Sequence, residues 1–220
     1  GKIIKKIGLD IKKYAPKAFV ICITNPLDAM VYVLQKYSKL PKNMCVGMAG
    51  VLDSSRMKYF LSEALQVSIK DVETFVLGGH GDDMIPLVNY TTIGGIPLID
   101  FIKLKKIPFS KIQKIVERTR MGGGEIVKLL KRGSAFYAPA SSAIQMAEAF
   151  LRNQKKILPC AAYLNGQYSL KNMYMGVPAI IGNKGIEKII EVKLSASEKS
   201  MLKKSVKSVQ GLVTAVDKLL

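Results

Sequence analysis

A single histidine, His80, is the residue in this sequence best suited to proton transfer. It stands between Gly79 and Gly81, directly after an apolar stretch that ends at Leu77. An imidazole can accept or donate a proton near neutral pH, and flanking glycines allow a ligand to approach the backbone closely. A general acid/base is therefore one interpretation of His80, and a polar loop residue is the other.

Two further motifs hold polar side chains with chemical potential. Asp53 and Arg56 are three residues apart and would share one face of a helix. They are either a surface ion pair, or an arginine that binds a carboxylate beside an aspartate that orients a histidine. Asn25 offers a ligand both a donor and an acceptor, although Asn25-Pro26 is also a simple turn sequence.

The elements that would position these residues alternate between helices and apolar strands. Helical spacing covers residues 2–14, 27–37 and 51–66, and strand-like runs cover residues 18–24, 44–48 and 71–77. Such alternation is typical of a parallel α/β sheet, in which ligands bind outside the carboxyl ends of the strands. His80 and Asn25 both follow strands of this kind.

The second part of the chain predicts an α+β region. Residues 85–93, 157–164 and 173–181 read as strands, and residues 110–131, 136–152 and 197–220 as helices. We expect Gly122-Gly123-Gly124 to distort the helix over 110–131. A phosphate loop is excluded there, because the glycines follow a helical stretch and lack the trailing Gly-Lys-Ser/Thr.

Composition excludes several classes of protein. With 220 residues the chain corresponds to roughly one and a half domains. Its net charge of +18 raises the alternative of a non-enzymatic binder of nucleic acid or of a membrane surface, but the lysines are dispersed and favour a solvated surface. Three scattered cysteines indicate no disulfide framework and no metal site, and fit a cytoplasmic location. No apolar run is long enough for a membrane span.

Taken together, the motifs resemble the lactate/malate dehydrogenase family, and within it most the bacterial malate dehydrogenases that share the lactate dehydrogenase architecture. The resemblance spans essentially the whole chain. The residues that carry it are Ile23-Thr24-Asn25-Pro26-Leu27-Asp28, Leu52-Asp53-Ser54-Ser55-Arg56, Leu77-Gly78-Gly79-His80-Gly81-Asp82-Asp83-Met84, Lys131 to Pro139, and Tyr174-Met175-Gly176-Val177-Pro178.

The resemblance implies an NAD-dependent oxidoreductase of the tricarboxylic acid cycle that interconverts (S)-malate and oxaloacetate. It implies that His80 exchanges the proton, that Asp53 pairs with it, and that Arg56 holds the substrate carboxylate. The remaining positions bind substrate (Asn25 and Ala135) or cofactor (Ile23, Thr24, Asn25, Met48 and Pro139). A lactate dehydrogenase acting on pyruvate is the alternative. The expected partners are a 2-hydroxy or 2-oxo dicarboxylic acid and further copies in a homodimer or homotetramer.

The resemblance also implies a domain division. Residues 1–49 would be the remaining part of an NAD-binding Rossmann domain, holding the C-terminal half of its parallel sheet, and residues 50–220 the catalytic domain. The Gly-x-Gly-x-x-Gly loop, the acidic residue that contacts the ribose and the substrate-specificity loop are not in the sequence. The expectation is a truncated or partly represented enzyme, with strand 18–23 left as an unpaired edge. If these residues are the entire polypeptide, NAD binding should be poor and activity low.

Overall fold

The computed structural model describes all 220 residues as a mixed α/β protein. The helices are α1 (Lys2–Tyr14), α2 (Leu27–Ser38), α3 (Gly50–Leu65), α4 (Leu98–Leu104), α5 (Phe109–Leu130), α6 (Tyr137–Leu151) and α7 (Ala196–Leu219). The strands are β1 (Val20–Cys22), β2 (Cys45–Gly47), β3 (Val72–Glu73), β4 (Val76–Leu77), β5 (Ile85–Pro86), β6 (Thr92–Ile93), β7 (Ile96–Pro97), β8 (Lys156–Asn165), β9 (Lys171–Gly182) and β10 (Gly185–Ile189).

One five-stranded sheet joins the two ends of the chain. Its order is β1-β2-β8-β9-β10, in which β1 and β2 are parallel and every other pairing is antiparallel. The parallel pair alternates with α1, α2 and α3, as in a Rossmann-type sheet. The predicted fold class, a partial parallel sheet followed by an α+β region, is confirmed. β1 is the edge strand, since it pairs only with β2.

The prediction of a third parallel strand over residues 71–77 is wrong. This stretch contains two short strands, β3 and β4, which pair antiparallel with β6 and β5 in separate small sheets. The free edge of β2 is instead taken by β8, where Gly47 lies opposite Ala161. The apolar residues of 71–77 are buried in two different cores rather than in one sheet, and burial alone produced the strand-like pattern.

The distortion predicted at the three glycines is also wrong. Helix α5 runs without interruption through Gly122-Gly123-Gly124. Each glycine costs about 1 kcal/mol relative to alanine in a helix, but the helix is held by tertiary packing. Ile112, Ile115 and Thr119 are buried on its inner face.

Three apolar clusters form the core. The largest lies around β8, β9 and α7, the second around α1, α2, β1 and β2, and the third beneath α3, α4 and α5. Helix α3 contributes residues to the first and the third cluster. It is thereby fixed between α5 and the hairpin formed by β8 and β9. None of the seven helices combines the length and the apolar character that a membrane crossing requires.

Candidate active site

A cavity of about 560 Å³ lies at the carboxyl ends of β1 and β2. Its walls are the first turns of α3, the loop after β4, the middle of α5 and the segment that leads into α6. Of the nine residues predicted for the site, seven line it: Ile23, Asn25, Met48, Arg56, His80, Ala135 and Pro139. Asp53 lies behind two of these, and Thr24 is exposed and outside the lining.

Asp53 connects the histidine to the arginine. One of its carboxylate oxygens, Oδ2, is 2.8 Å from Nδ1 of His80, and the other, Oδ1, accepts a hydrogen bond of 3.2 Å from Arg56. Asp53 is only 1% exposed, in the first turn of α3. The positive end of the helix dipole favours a carboxylate there. The sequence left a surface ion pair open as an interpretation, and this burial excludes it.

The Asp53 contact fixes the tautomer of His80. An ionised carboxylate can only accept hydrogen bonds, so Nδ1 of His80 carries the hydrogen and Nε2 keeps a lone pair. Burial on its own lowers the pKa of His80. The hydrogen bond and negative charge of Asp53, together with the charge of Asp28, outweigh it and raise the pKa above its usual 6.5.

Three consecutive backbone N–H groups hold the histidine loop in place. That of Gly78 donates to the carbonyl oxygen of Gly176 in β9 at 2.8 Å. That of Gly79 donates to Oγ of Ser205 in α7 at 2.8 Å, and that of His80 to Oδ2 of Asp28 in α2 at 3.0 Å. Three different elements thus determine where the imidazole stands.

Gly176 has to be glycine at this contact. A Cβ atom on it would overlap the carbonyl oxygen of Gly78. The close approach of the two backbones lets the loop bond directly to the central hairpin strand.

Sequence reasoning gave Asp28 no role, yet it is the most buried acid near the site after Asp53. It is 3% exposed, and its second oxygen, Oδ1, has no hydrogen-bond partner. Burial raises the pKa of Asp28 from 3.8 to about 6, against the lowering effect of the His80 N–H and of the His80 charge. Its sequence neighbours Leu27, Ala29 and Met30 could have pointed to Asp28, because an acid within an apolar run is expected to be buried, and acids are almost never fully buried unless they are paired.

Arg120 is a second cavity residue that the sequence did not single out. It lies on α5 and donates to the carbonyl oxygen of Met84 and to the sulfur of Met201. It thereby ties α5 to the end of the histidine loop and to α7. No group of three His, Cys, Asp or Glu residues is arranged to hold a metal ion.

The arrangement suits proton transfer on a small anion. His80 presents a lone pair to the cavity, whose lining also holds two arginines, Arg56 and Arg120, and one acid, Asp82. Arg56 offers the planar fork that grips carboxylates with two parallel hydrogen bonds. Asn25 adds a neutral donor and acceptor at the same wall.

Comparisons with known proteins agree with this geometry. The family model of the lactate/malate dehydrogenase NAD-binding domain matches residues 1–47 of the sequence. The family model of the lactate/malate dehydrogenase alpha/beta C-terminal domain matches residues 50–218. A malate dehydrogenase of Methylobacterium radiotolerans is 59% identical over 97% of this chain and 67% of its own length.

Two solved structures match closely as well. A Cryptosporidium parvum malate dehydrogenase superposes with a TM-score of 0.97 and 53% identity, over 99% of this chain and 69% of its own. An Eimeria maxima lactate dehydrogenase, solved with NADH and oxamate, superposes with a TM-score of 0.95 and 49% identity, over 99% of this chain and 68% of its own.

Proposed function

Because the chain belongs to the lactate/malate dehydrogenase family, we propose that it carries the catalytic centre of an NAD-dependent malate dehydrogenase. Such an enzyme interconverts (S)-malate and oxaloacetate. The observation that carries the proposal is the Asp53 carboxylate, which contacts His80 with one oxygen and Arg56 with the other at the wall of a single cavity. The identity to malate dehydrogenases supports it.

The cavity fits the nicotinamide end of NAD. Ile23, Met48, Leu52 and Pro139 give it an apolar wall beside the polar cluster, and an aromatic ring next to a reacting polar group requires such a surface. NAD, when bound, accepts the hydride that leaves the alcohol carbon. We propose that Ile23, Met48 and Pro139 contact the ring and that Asn25 hydrogen-bonds at its edge. Thr24 lies outside the cavity lining and is proposed to contact the cofactor through its backbone.

The substrate is held by its carboxylate. Arg56 grips this group, which all 2-hydroxy acids share, and so fixes the reacting carbon relative to the proton acceptor. Asn25 hydrogen-bonds the C2 oxygen. Ala135, with a side chain of one methyl group at the opposite wall, leaves room for the second carboxylate arm of a dicarboxylate.

His80 moves the proton. In the direction of malate oxidation, Nε2 accepts the hydrogen of the C2 hydroxyl as the C–H bond breaks and the C=O bond forms, and the imidazole becomes imidazolium. Asp53 holds the ring in the required tautomer and stabilises the positive charge. In reduction the imidazolium returns the proton to the carbonyl oxygen.

The test compares oxaloacetate with pyruvate as substrates for NADH oxidation by the full-length enzyme. The proposal predicts a kcat/KM at least tenfold higher for oxaloacetate. A preference for pyruvate would instead support a lactate dehydrogenase, to which the structure is also similar. An Arg56→Lys variant should lose activity on both acids, whereas a change of the exposed Lys103 should leave both rates unaltered. Equal, negligible rates with both acids in the unaltered enzyme would contradict the proposal.

We further propose that the enzyme is a cytoplasmic homo-oligomer. Three large apolar side chains lie largely exposed at positions seven residues apart on one face of α6, namely Tyr137, Ile144 and Leu151, and a second copy of the chain would cover them. Light scattering of an Ile144→Glu variant tests this, since the assembled mass should fall. The three cysteines are unpaired, which fits a reducing compartment, and cell fractionation tests the location.

A further inference from the structure

Two of the three glycines of α5, Gly122 and Gly123, lie against the side chain of Arg56. A Cβ atom on Gly122 would stand 3.0 Å from Cδ of Arg56 and 3.5 Å from its Nε. A Cβ atom on Gly123 would stand 3.8 Å from both terminal nitrogens of the guanidinium. Carbon atoms in contact prefer about 3.5–4.0 Å, so a methyl group at position 122 requires the Arg56 side chain to shift by a few tenths of an ångström, whereas position 123 admits one in ordinary contact.

Arg56 is held beside this surface by the contact of its guanidinium with Asp53. Its side chain is 12% exposed and is tied to the buried Asp53 on the side of the histidine. Its Nε has no hydrogen-bond partner, so only packing holds the stem, and only Asp53 holds the guanidinium. The stem therefore runs between Asp53 and the bare backbone of α5, which together determine where the guanidinium enters the cavity.

From these contacts we infer that Gly122, supported by Gly123, is a positioning residue for Arg56. Because residue 122 has no side chain, the surface of α5 has a shallow groove at this position, called here the slot. The Arg56 stem packs in this slot, which orients the guanidinium toward the substrate carboxylate. The inference rests on the proposed function only in that Arg56 binds that carboxylate. It explains why a helix with an otherwise ordinary sequence retains a glycine at a buried position in its middle, despite the loss of helix stability.

Gly122→Ala tests the inference. A methyl group at 122 would displace the Arg56 stem by several tenths of an ångström, and the guanidinium at its end by more. We expect the KM for oxaloacetate to rise about tenfold, because small displacements of positioning groups are costly. kcat should change less than about threefold, and the affinity for NADH should stay the same, because the proposed function assigns Arg56 to the substrate carboxylate and not to the cofactor. Gly123→Ala, with ordinary contact distances, should raise the KM about twofold at most.

A matched control exists in α7. Gly211 is an exposed helical glycine with nothing near a Cβ atom at its position, so Gly211→Ala makes the same chemical change without meeting Arg56. Its KM should equal that of the unaltered enzyme, and its melting temperature should rise slightly, as expected for glycine to alanine in a helix.

A double-mutant cycle separates positioning of Arg56 from a general disturbance of α5. In an Arg56→Ala background the slot has nothing to hold, so Gly122→Ala should become stabilising by the same shift in melting temperature as Gly211→Ala. This stability readout does not require the proposed reaction. The inference is overturned if Gly122→Ala leaves the KM within twofold of Gly211→Ala, or if its effect on melting temperature is unchanged when Arg56 is removed. Failure of the unaltered enzyme to reduce oxaloacetate would count against the proposed function instead.

Discussion

Replacing Asp28 by asparagine is expected to remove a loss of stability that grows as the pH rises toward neutrality. Burial raises the pKa of this carboxyl from 3.8 to about 6. The folded state therefore binds the proton more tightly than the unfolded state, and ionisation opposes folding. At 1.36 kcal/mol per pKa unit, the upward shift corresponds to roughly 3 kcal/mol of lost stability above pH 7.

The pH window follows from the sign of the shift. Below about pH 3 the carboxyl is largely protonated in both states, so Asp28 imposes little penalty. As the pH rises from 4 to 7 the unfolded state ionises first, and stability falls until the folded group has also ionised. Asparagine cannot ionise. Any cost of its unpartnered amide is the same at every pH and does not enter the difference between two pH values.

The assay is urea unfolding of wild type and Asp28→Asn at pH 4 and pH 7.5. We expect the gain in unfolding free energy of the variant to be larger at pH 7.5 than at pH 4, by roughly 2–3 kcal/mol. Asp217→Asn is the control of opposite sign, because the hydrogen bond from Lys36 lowers the pKa of Asp217. If the unfolding free energies of wild type and Asp28→Asn depend on pH in the same way, folding does not disfavour the ionised Asp28 carboxylate, and the prediction is wrong.

Three other outcomes are expected. His80→Asn should reduce turnover at least a thousandfold while NADH affinity, measured by fluorescence, changes little; near-normal turnover would refute its role in proton transfer. Malate oxidation requires neutral His80 and should decline as the pH falls through the raised pKa of that residue, whereas oxaloacetate reduction should decline as the pH rises through it. In Asp53→Asn the pH dependences of both reaction directions should shift to lower pH, because Asp53 raises the pKa of His80. An unshifted pH profile would contradict the contact between Asp53 and His80. Gly176→Ala should lower stability by about 1–3 kcal/mol in thermal unfolding, because its methyl group would overlap the histidine loop; an unchanged melting temperature would show that the loop can shift at no cost.

The local pattern of the sequence predicted the longer helices and the hairpin of β8 and β9 well. Apolar spacing placed α1, α2, α3, α6 and α7 to within one residue at most of their ends, because the apolar residues of a packed helix recur at helical spacing. The short helix α4 was not predicted. The sequence also singled out His80, Asn25, Asp53 and Arg56 as candidates, but each motif alone equally fitted a loop, a turn or a surface ion pair, and their roles came from the family resemblance. Their convergence on one cavity is what the structure adds.

Non-local contacts explain what the sequence could not predict. The run over residues 71–77 is apolar because two cores bury it, and only the folded chain shows that β8 occupies the edge of β2. The contact of Gly122 and Gly123 with Arg56 could not be predicted from the local sequence, because Arg56 lies 66 residues before Gly122 in the chain. Asp28 gave a weak signal for the same reason, since the N–H group that it accepts belongs to His80.

The three N–H contacts of the histidine loop also bear on how the protein acquires activity as it folds. They join residue 78 to 176, 79 to 205 and 80 to 28, so two of the three span about a hundred residues or more. Contacts between distant parts of a chain form late, because the loops they close lose much entropy. A refolding chain should therefore regain helical signal well before the imidazole reaches its working position. Recovered turnover would report completion of the whole fold, since the imidazole is placed only when all three contacts have formed.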